Sequence, residues 1–571
     1  MTASVGTIYH EYIWNNHMVE LAEYFYNKPA FTLEDIPKKA RVVIDSYKEH
    51  EWYNPERIKS LKLILQRINR ELGCLTPSVR ENINVIDNGT VEASHQSVVM
   101  GGPCYILNKG ITACITASIA RNQDLPLVPF YFIADYDIVQ PELTNIRSPL
   151  MGQRGNLVSL PIPEGYEYSP VSVLPLPSKD WYNQVEEDLR SNYNPMFNDV
   201  GGKGKILLEE RLEQAMALVR WAFHNSKTLG EWAERIIARL LNIEGTLGVP
   251  ILPASNVEFR NLMKGGMEFL LKRDNREQFL KIHSEATELI VKNNLIPGIG
   301  QRGPDYTPFF YECQKGDCHR SRIELLCKDD GSNYVLIGKC PSCGENIEIE
   351  VSSKNPDLHE IGNNLSPRVD TRQMILDTII PIAVHVGGPG ETAYYAQVIP
   401  IANLIKIPFP TFVKYPRVYF NTPWNESLAK NLKNTGYPVL HDSDLFRTLG
   451  RVNKFRKKNR ADDMNDQLSE LRNLILGIHT SLNERLASLE DDIDSASGEE
   501  FEKLQTYKLD IERYLSWVFG QYTPEKLGQE SSWSWIEWVL NSGFTDIFGP
   551  YKRAYVPSMK NGATLFVNFF L

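Results

Sequence analysis

Residues 90–137 read TVEASHQSVVMGGPCYILNKGITACITASIARNQDLPLVPFYFIADYD. TVEASHQSVVM carries β-branched residues and ends at Gly101-Gly102-Pro103, which predicts a strand running into a glycine turn. CYILNKGITACITASIARNQ then reads as a helix, with Pro103 where a first helical turn tolerates it. LPLVPFYFIADYD is short, apolar and aromatic, as a strand buried on both faces would be. Strand, glycine turn, helix, strand is a βαβ unit, and its crossover implies parallel pairing. The pattern recurs at 374–405, where MILDTIIPIAVHV predicts a buried strand or helix-to-strand segment. Gly387-Gly388-Pro389-Gly390-Glu391 follows, and then the helix TAYYAQVIPIANLI. Two such units predict an α/β fold with a parallel sheet.

Around these units the chain is largely helical. Residues 1 to about 80 show helical spacing with Tyr9, Tyr12, Trp14, Tyr24 and Tyr26. Residues 206–243 and 257–293 do likewise, separated by the short strand in LGVPILPASN. GGKGK at 201–205 lacks the GxxxxGK[ST] spacing of a phosphate loop and reads as a flexible linker. A basic stretch from Arg451 through Lys458 to Arg460 reads as a solvated linker. Beyond it, Leu468, Leu471, Ile475, Ile478, Leu482, Leu486, Leu489 and Ile493 form a heptad-like stripe. A returning helix carries Leu504, Tyr507, Ile511, Tyr514 and Val518. The pair predicts an antiparallel coiled-coil arm. Two helices alone leave apolar surface uncovered, so a homodimer through this arm is expected.

The 571 residues, 42% apolar and 23% charged, exclude a small binding module and dominant disorder. A net charge of −10 gives no global attraction for phosphate backbones, so nucleic acid is not an expected partner. MTASVGTIYHEYIWNN has no basic start followed by an apolar core, and the longest apolar stretch, Leu125–Ala134, is about half a membrane span. A cytoplasmic protein without membrane segments is expected.

Five of the eight cysteines fall between Cys313 and Cys343. Cys313-x4-Cys318 and Cys340-x2-Cys343-Gly344 have the spacing of two metal knuckles, and the segments between them alternate like short strands. A zinc ribbon is expected, with Cys313, Cys318, Cys340 and Cys343 as ligands. Cys327 or His319 could replace Cys318. A closed four-thiolate site is structural, whereas a three-ligand site would leave a position for a substrate thiol.

Glycine turns between parallel strands and helices let backbone approach a ligand and aim N–H groups at an anion. Ser94, His95, Gln96, Gly101, Gly102 and Lys109 are therefore expected to face Gly388, Gly390, Glu391, Tyr394 and Tyr395. Asp135 and Asp137 end a strand where ligands bind. Glu391 lies in a first helical turn, and His385 precedes the second glycine turn by two residues. Neither turn is a GxGxxG, so a dinucleotide site is poorly supported.

These segments resemble the bacillithiol-biosynthesis cysteine-adding enzymes, the BshC family. SHQSVVMGGPCYILNKGITA, LPLVPFYFIADYD and NSGFTDIFGPYK are similar to family segments, and TRQMILDTIIPIAVHVGGPGETAYYAQV is the most specific of the four. The resemblance implies a Rossmann-like core related to class I aminoacyl-tRNA synthetases, with helical layers and a coiled-coil arm used for dimers. It implies joining of L-cysteine to the amine of a glucosaminyl-malate, with ATP or another nucleotide as the activating group. Carried over, the matching positions are Gln96, Gly102, Pro103, Lys109, Asp135, Asp137, Arg372, Gly388, Pro389, Gly390, Glu391 and Tyr394. On this reading Glu391, with His385, takes the acceptor amine's proton, and Asp135 or Asp137 holds an ammonium. Gly102 and Gly390, with Lys109 and Arg372, hold anionic groups. The sequence departs from the family at Ser94-His95-Gln96, where the family has Gly-Gln-Gln. It departs again at Asp135-Tyr136-Asp137, where a family histidine is absent. No KMSKS-like loop is present, which disfavours transfer to tRNA.

The expected organisation is a helical region at 1–80 and a Rossmann-like core at 81–305 and 356–450, interrupted by a zinc ribbon at 306–355. A coiled-coil arm at 451–520 and a C-terminal segment at 521–571 packing on the core complete it. Two other functions fit the same sequence: an amide ligase acting on a different amine or amino acid, and a non-catalytic zinc-containing coiled-coil assembly protein.

Overall fold

The computed structural model describes residues 3–147, 157–457, 460–521 and 529–569. Five strands make the central sheet: β1 (Thr90–Gln96), β2 (Val128–Ala134), β3 (Ile251–Pro253), β4 (Ile382–Gly387) and β5 (Thr411–Lys414). Their spatial order is β5-β4-β1-β2-β3, and every pairing is parallel. β1, β2 and β4 are buried on both faces, so their sequences do not alternate cleanly. Helix α1 (Tyr105–Arg121) carries the chain from β1 to β2, and α2 (Pro389–Leu404) from β4 to β5. From β1 the chain moves outward to β2 and β3, then returns to β4 on the opposite side of β1. The carboxyl ends of β1 and β4 therefore flank the topological switch point, where open α/β sheets bind ligands.

The first glycine turn differs from expectation. Helix α1 starts at Tyr105, so Pro103 lies outside it, in an isolated bridge with Ser534. Gly101 and Gly102 take φ values of 83° and 95°, which favour glycine. A Cβ on Gly101 would lie 2.5 Å from Ile236 Cγ2. The Trp535 indole N–H donates to the Met100 carbonyl (2.8 Å), and the Cys104 amide to the Trp533 carbonyl (2.7 Å). The turn is thus a packing joint with a distant part of the chain. That part also pairs Thr564–Val567 in parallel with Arg417–Phe420.

GGKGK is likewise not a linker. Helix Lys179–Val200 breaks at Gly201 (φ 68°), and Gly202–His224 begins directly after it. Two successive glycines of positive φ, Gly201 and Gly202 (51°), make the break, and burial of Leu208, Leu212 and Ala215 holds the second helix in register. The N-terminal region is helical as its spacing predicts, with Tyr9, Tyr12, Trp14 and Tyr26 buried and Tyr24 exposed.

In the cysteine-rich region Phe309–Glu312 pairs with Arg322–Glu324 and Leu365–Pro367, while Leu326–Asp329, Asn333–Lys339 and Asn346–Ser352 form an antiparallel meander. Further on, Ala461–Ser495 and Glu499–Gln521 pack together across a three-residue connection. Leu471, Ile475, Ile478, Leu482, Leu486, Leu489 and Ile493 are buried within the chain, as are Ile511 and Tyr514. Each buried aliphatic side chain contributes about 1.5–3 kcal/mol, so the stripe is spent on intrachain packing. Leu468, Leu474, Leu476 and Phe501 stay exposed. Lys458 and the side chain of Val518 lie outside the described residues. No helix among the described residues is long and apolar enough to cross a membrane.

Candidate active site at the switch point

Lys109 and Glu391 meet between the carboxyl ends of β1 and β4. The Lys109 ammonium donates to Glu391 Oε1 (2.5 Å) and to the Ser94 carbonyl (2.9 Å). It also sits 5.5 Å from the ring centre of Tyr105 and 5.9 Å from that of Tyr415. Tyr105 and Lys109 share a face of α1 because they are one helical turn apart. Glu391 lies in the first turn of α2, and its Oε2 accepts the Gly388 amide (3.0 Å). Burial alone would raise the Glu391 carboxyl, but the Lys109 ammonium outweighs it and holds the group at about 2. A carboxylate held that low is a poor proton acceptor, which counts against the expected role of Glu391 as base.

His385 is fully buried in β4 and does not open on the crevice. Its Nδ1 lies 2.8 Å from Glu92 Oε2 on neighbouring β1, and its Nε2 lies 3.4 Å from the Tyr395 hydroxyl. Burial works against the Glu92 charge, yet His385 and then Arg372 hold its carboxyl below the ordinary range. Arg372 donates to Ser94 Oγ (3.3 Å) and to the Tyr395 hydroxyl (3.1 Å). Tyr395 in turn donates to Gln373 Oε1 (3.0 Å). This network joins β1, β4, α2 and the short helix Arg372–Asp377 beneath the crevice, which suits His385 to positioning.

The two strand-end acids diverge. Asp135 is fully buried, and its Oδ1 accepts the Ser255 amide (2.7 Å). Burial raises its carboxyl, and burial followed by the charge of Asp135 raises nearby Glu234 well above the carboxylate range. Asp137 is partly exposed, accepts from the Gln96 side chain, and meets Arg322 Nη1 at 3.3 Å. His95 bonds the Gln96 carbonyl through Nδ1 (2.6 Å) and the Tyr105 hydroxyl through Nε2 (2.6 Å).

The two glycine turns also part company. The Gly101 and Gly102 amides donate to the carbonyls of Val98 (3.0 Å) and Val99 (3.2 Å), so the expected anion cradle at Gly102 is closed. Gly388 spends its amide on Glu391. Gly390 is exposed, and a Cβ there would meet nothing within 4 Å. Tyr394, next on α2, is partly buried against Tyr395 (ring centres 4.7 Å apart). Sequence reasoning missed Glu92, Arg322, Tyr105 and Tyr415. Glu92 alone left a signal, as an acid inside an otherwise buried strand.

The sulfur atoms of Cys313, Cys318, Cys340 and Cys343 all lie within 4.8 Å of one another. Those of Cys318 and Cys340 are 3.9 Å apart, far beyond the roughly 2.05 Å of a disulfide. Four thiolates about 2.3 Å from one metal would stand about 3.8 Å apart at the corners of a tetrahedron. The donor set and spacing fit a four-coordinate metal. Cys327 lies outside the cluster on strand Leu326–Asp329, and the His319 ring stacks on Tyr166 (3.9 Å), so neither displaces Cys318.

An all-parallel sheet with crossover helices and a lysine–glutamate pair over its switch point defines a Rossmann-like α/β protein. Residues 4–418 match the family described as bacillithiol biosynthesis BshC, N-terminal Rossmann-like domain, and the chain belongs to that family. A provisionally named cysteine ligase BshC of Carboxydothermus hydrogenoformans is 22% identical over 479 residues, 82% of this chain and 79% of that protein. Its namesake in Desulforamulus reducens is 22% identical over 476 residues, covering 80% and 78%. That of Natranaerobius thermophilus is 25% identical over 343 residues, covering 59% and 55%.

Proposed function

We propose that this BshC-family chain is a carbon–nitrogen ligase that joins L-cysteine to the amine of a glucosaminyl-malate in low-molecular-weight thiol biosynthesis. The observation that carries the reading is the Lys109–Glu391 pair over the switch point of a BshC-type Rossmann-like core. In the reaction the acceptor nitrogen bonds to the cysteine carbonyl carbon, the bond from that carbon to the leaving oxygen breaks, and the amine loses a proton. From a free carboxylate the group that would have to leave is oxide or hydroxide, a poor leaving group, so a co-substrate must carry that oxygen away. ATP or another nucleotide is of the right class, and Gly390 offers an amide at the start of α2 for an anionic group. Lys109 and Arg372 draw carboxylates into the crevice. Glu391 stays ionised and faces cations, while Asp137, the more open strand-end acid, orients the attacking amine. Glu92 and His385 hold β1 and β4 in register beneath them.

Zinc is the ion assigned to the four thiolates, since soft ligands in a closed tetrahedron suit it. Bound there, it supplies folding energy to a segment too small for a core of its own. A cytoplasmic location belongs to the same reading. So does a homodimer through the two-helix arm, for which Leu468, Leu474, Leu476 and Phe501 are the apolar positions left open. The test is to incubate the purified chain with cysteine, ATP and glucosaminyl-malate and search for the amide by mass spectrometry. Product from another amine only would reassign the acceptor. No product from any amine would leave an assembly protein.

A further inference from the structure

The cysteine cluster is not remote from the crevice. Ser321 is stitched into it: its amide and hydroxyl both donate to the Cys318 carbonyl (2.8 Å each), and its own carbonyl accepts the Cys313 amide (2.9 Å). The next residue, Arg322, leaves the cluster and enters the core. Its guanidinium lies 4.3 Å from the Phe310 ring centre and donates to Asp137 Oδ1 (3.3 Å), and its amide donates to the Tyr168 carbonyl (2.9 Å). Two residues before Ser321, His319 takes a left-handed φ of 47° and stacks flat on Tyr166. The strap holding Tyr166 and Tyr168 is itself tied to the strand-end acids. The Val171 amide donates to the Asp137 carbonyl (2.9 Å), the Ser172 amide to the Asp135 carbonyl (3.0 Å), and the Val139 amide to the Ser169 carbonyl (3.0 Å).

We propose that the four-cysteine knuckle clamps the Asp135–Asp137 strand end through Arg322 and the Tyr166–Ser172 strap, making Arg322 a positioning residue for the acceptor amine. The placement of the clamp stands on geometry alone; the role of Arg322 rests on the ligase reading above. Among the described residues Asp137 has two charged or amide side-chain partners, Gln96 at the end of β1 and Arg322 from the knuckle. Without Arg322 it is held from one side only, and its carboxylate swings. An amine bound to a swinging carboxylate is held less well, so affinity for the acceptor suffers before the chemistry does.

The test has two readouts on the full-length chain. Hydrogen exchange is followed with zinc bound and after chelation. The clamp predicts at least tenfold faster exchange at Val139, Val171 and Ser172 on metal removal, with β1 amides unchanged. Unchanged exchange in the strap overturns the clamp, whether or not the chain proves to be a ligase. The second readout uses Arg322→Met, which leaves the thiolates intact. It should keep full metal content, raise the acceptor KM about tenfold and alter kcat less than twofold, and Arg322→Lys should recover part of the loss. Chelation should add little to the KM of Arg322→Met, because both act on one link. An unchanged KM, or metal and mutation effects that multiply, removes Arg322 from that role. If chelation unfolds the chain as a whole, the metal-replete Arg322→Met protein decides the matter by its strap exchange and its KM.

Discussion

Lys109→Met would remove from the switch point the ammonium that does most to hold the Glu391 charge, leaving the backbone amides of Gly388 and Glu391 and the nearby His385. Glu391 is held at about 2 against an ordinary 4.5, a difference of about 2.5 units, or about 3 kcal/mol of stabilisation. The side chains of the pair are 5% and 17% exposed, so solvent screening takes little from that figure. Because the folded-state value is depressed, the contribution is complete above the ordinary 4.5 and is lost as pH falls toward the folded value of about 2. The penalty in the variant should therefore be full near about pH 7 and shrink toward about pH 3, where the freed carboxylate takes up a proton. Hydrogen exchange of peptides from Ile382–Leu404, corrected for intrinsic rates, reads this directly. About 3 kcal/mol corresponds to roughly hundredfold faster exchange at about pH 7. The Lys109→Met/Glu391→Gln double variant should recover much of the loss, since it no longer buries an unpaired charge. An equal penalty at both pH values, or a double variant that costs the sum of the singles, would refute the argument.

His385→Ala leaves the Glu92 carboxylate buried without its imidazole and should cost about 3–5 kcal/mol, read as a lowered denaturation midpoint, with His385→Asn losing less. The purified chain should hold about one zinc ion by elemental analysis, Cys340→Ser should lose it, and Cys327→Ser should keep it. Gly101→Ala places a Cβ 2.5 Å from Ile236 Cγ2 at a left-handed φ and should lower the melting temperature, with a cost of roughly 1–3 kcal/mol. Glu537 is pushed up to about 8 by burial, although its Oε1 accepts the Tyr193 hydroxyl (2.8 Å). A raised carboxyl costs stability as pH climbs from its ordinary 4.5 to its folded value of about 8, so Glu537→Gln should gain on the wild type across that window. Parallel pH–stability curves would count against it.

The glycine turns and their flanking strands were legible because each unit is local: a β-branched or apolar run, a break, a helix. The order of the strands was not, since it depends on β4 returning to the far side of β1. Nor was the fate of each turn. Whether a glycine amide is free or spent depends on partners such as Val99, which no spacing marks. Lys109 and Glu391 were identifiable as candidates, but not as a pair, because they stand 282 positions apart. Separations of 293 and 185 positions likewise hide Glu92 from His385 and Asp137 from Arg322. The four metal-site cysteines were readable because knuckle spacing is local chemistry. The hairpin's apolar stripe was likewise readable from its spacing, whereas how much of it is covered within the chain was not.

The joint at Met100 and Trp535 sets a timetable for synthesis. The two residues are 435 positions apart, and the indole that braces the first glycine turn is translated long after the turn itself. At about 5–20 residues per second, that wait is roughly 20 to 90 seconds. Through that interval the first crossover lacks its brace, and the sheet lacks β4 and β5 for much of it. A nascent chain in this state presents an unpaired edge of β1 (TVEASHQ), whose free backbone groups can pair with the wrong strand. A pause in synthesis placed before Trp533 would prolong the stage in which that edge and the first glycine turn stand unbraced.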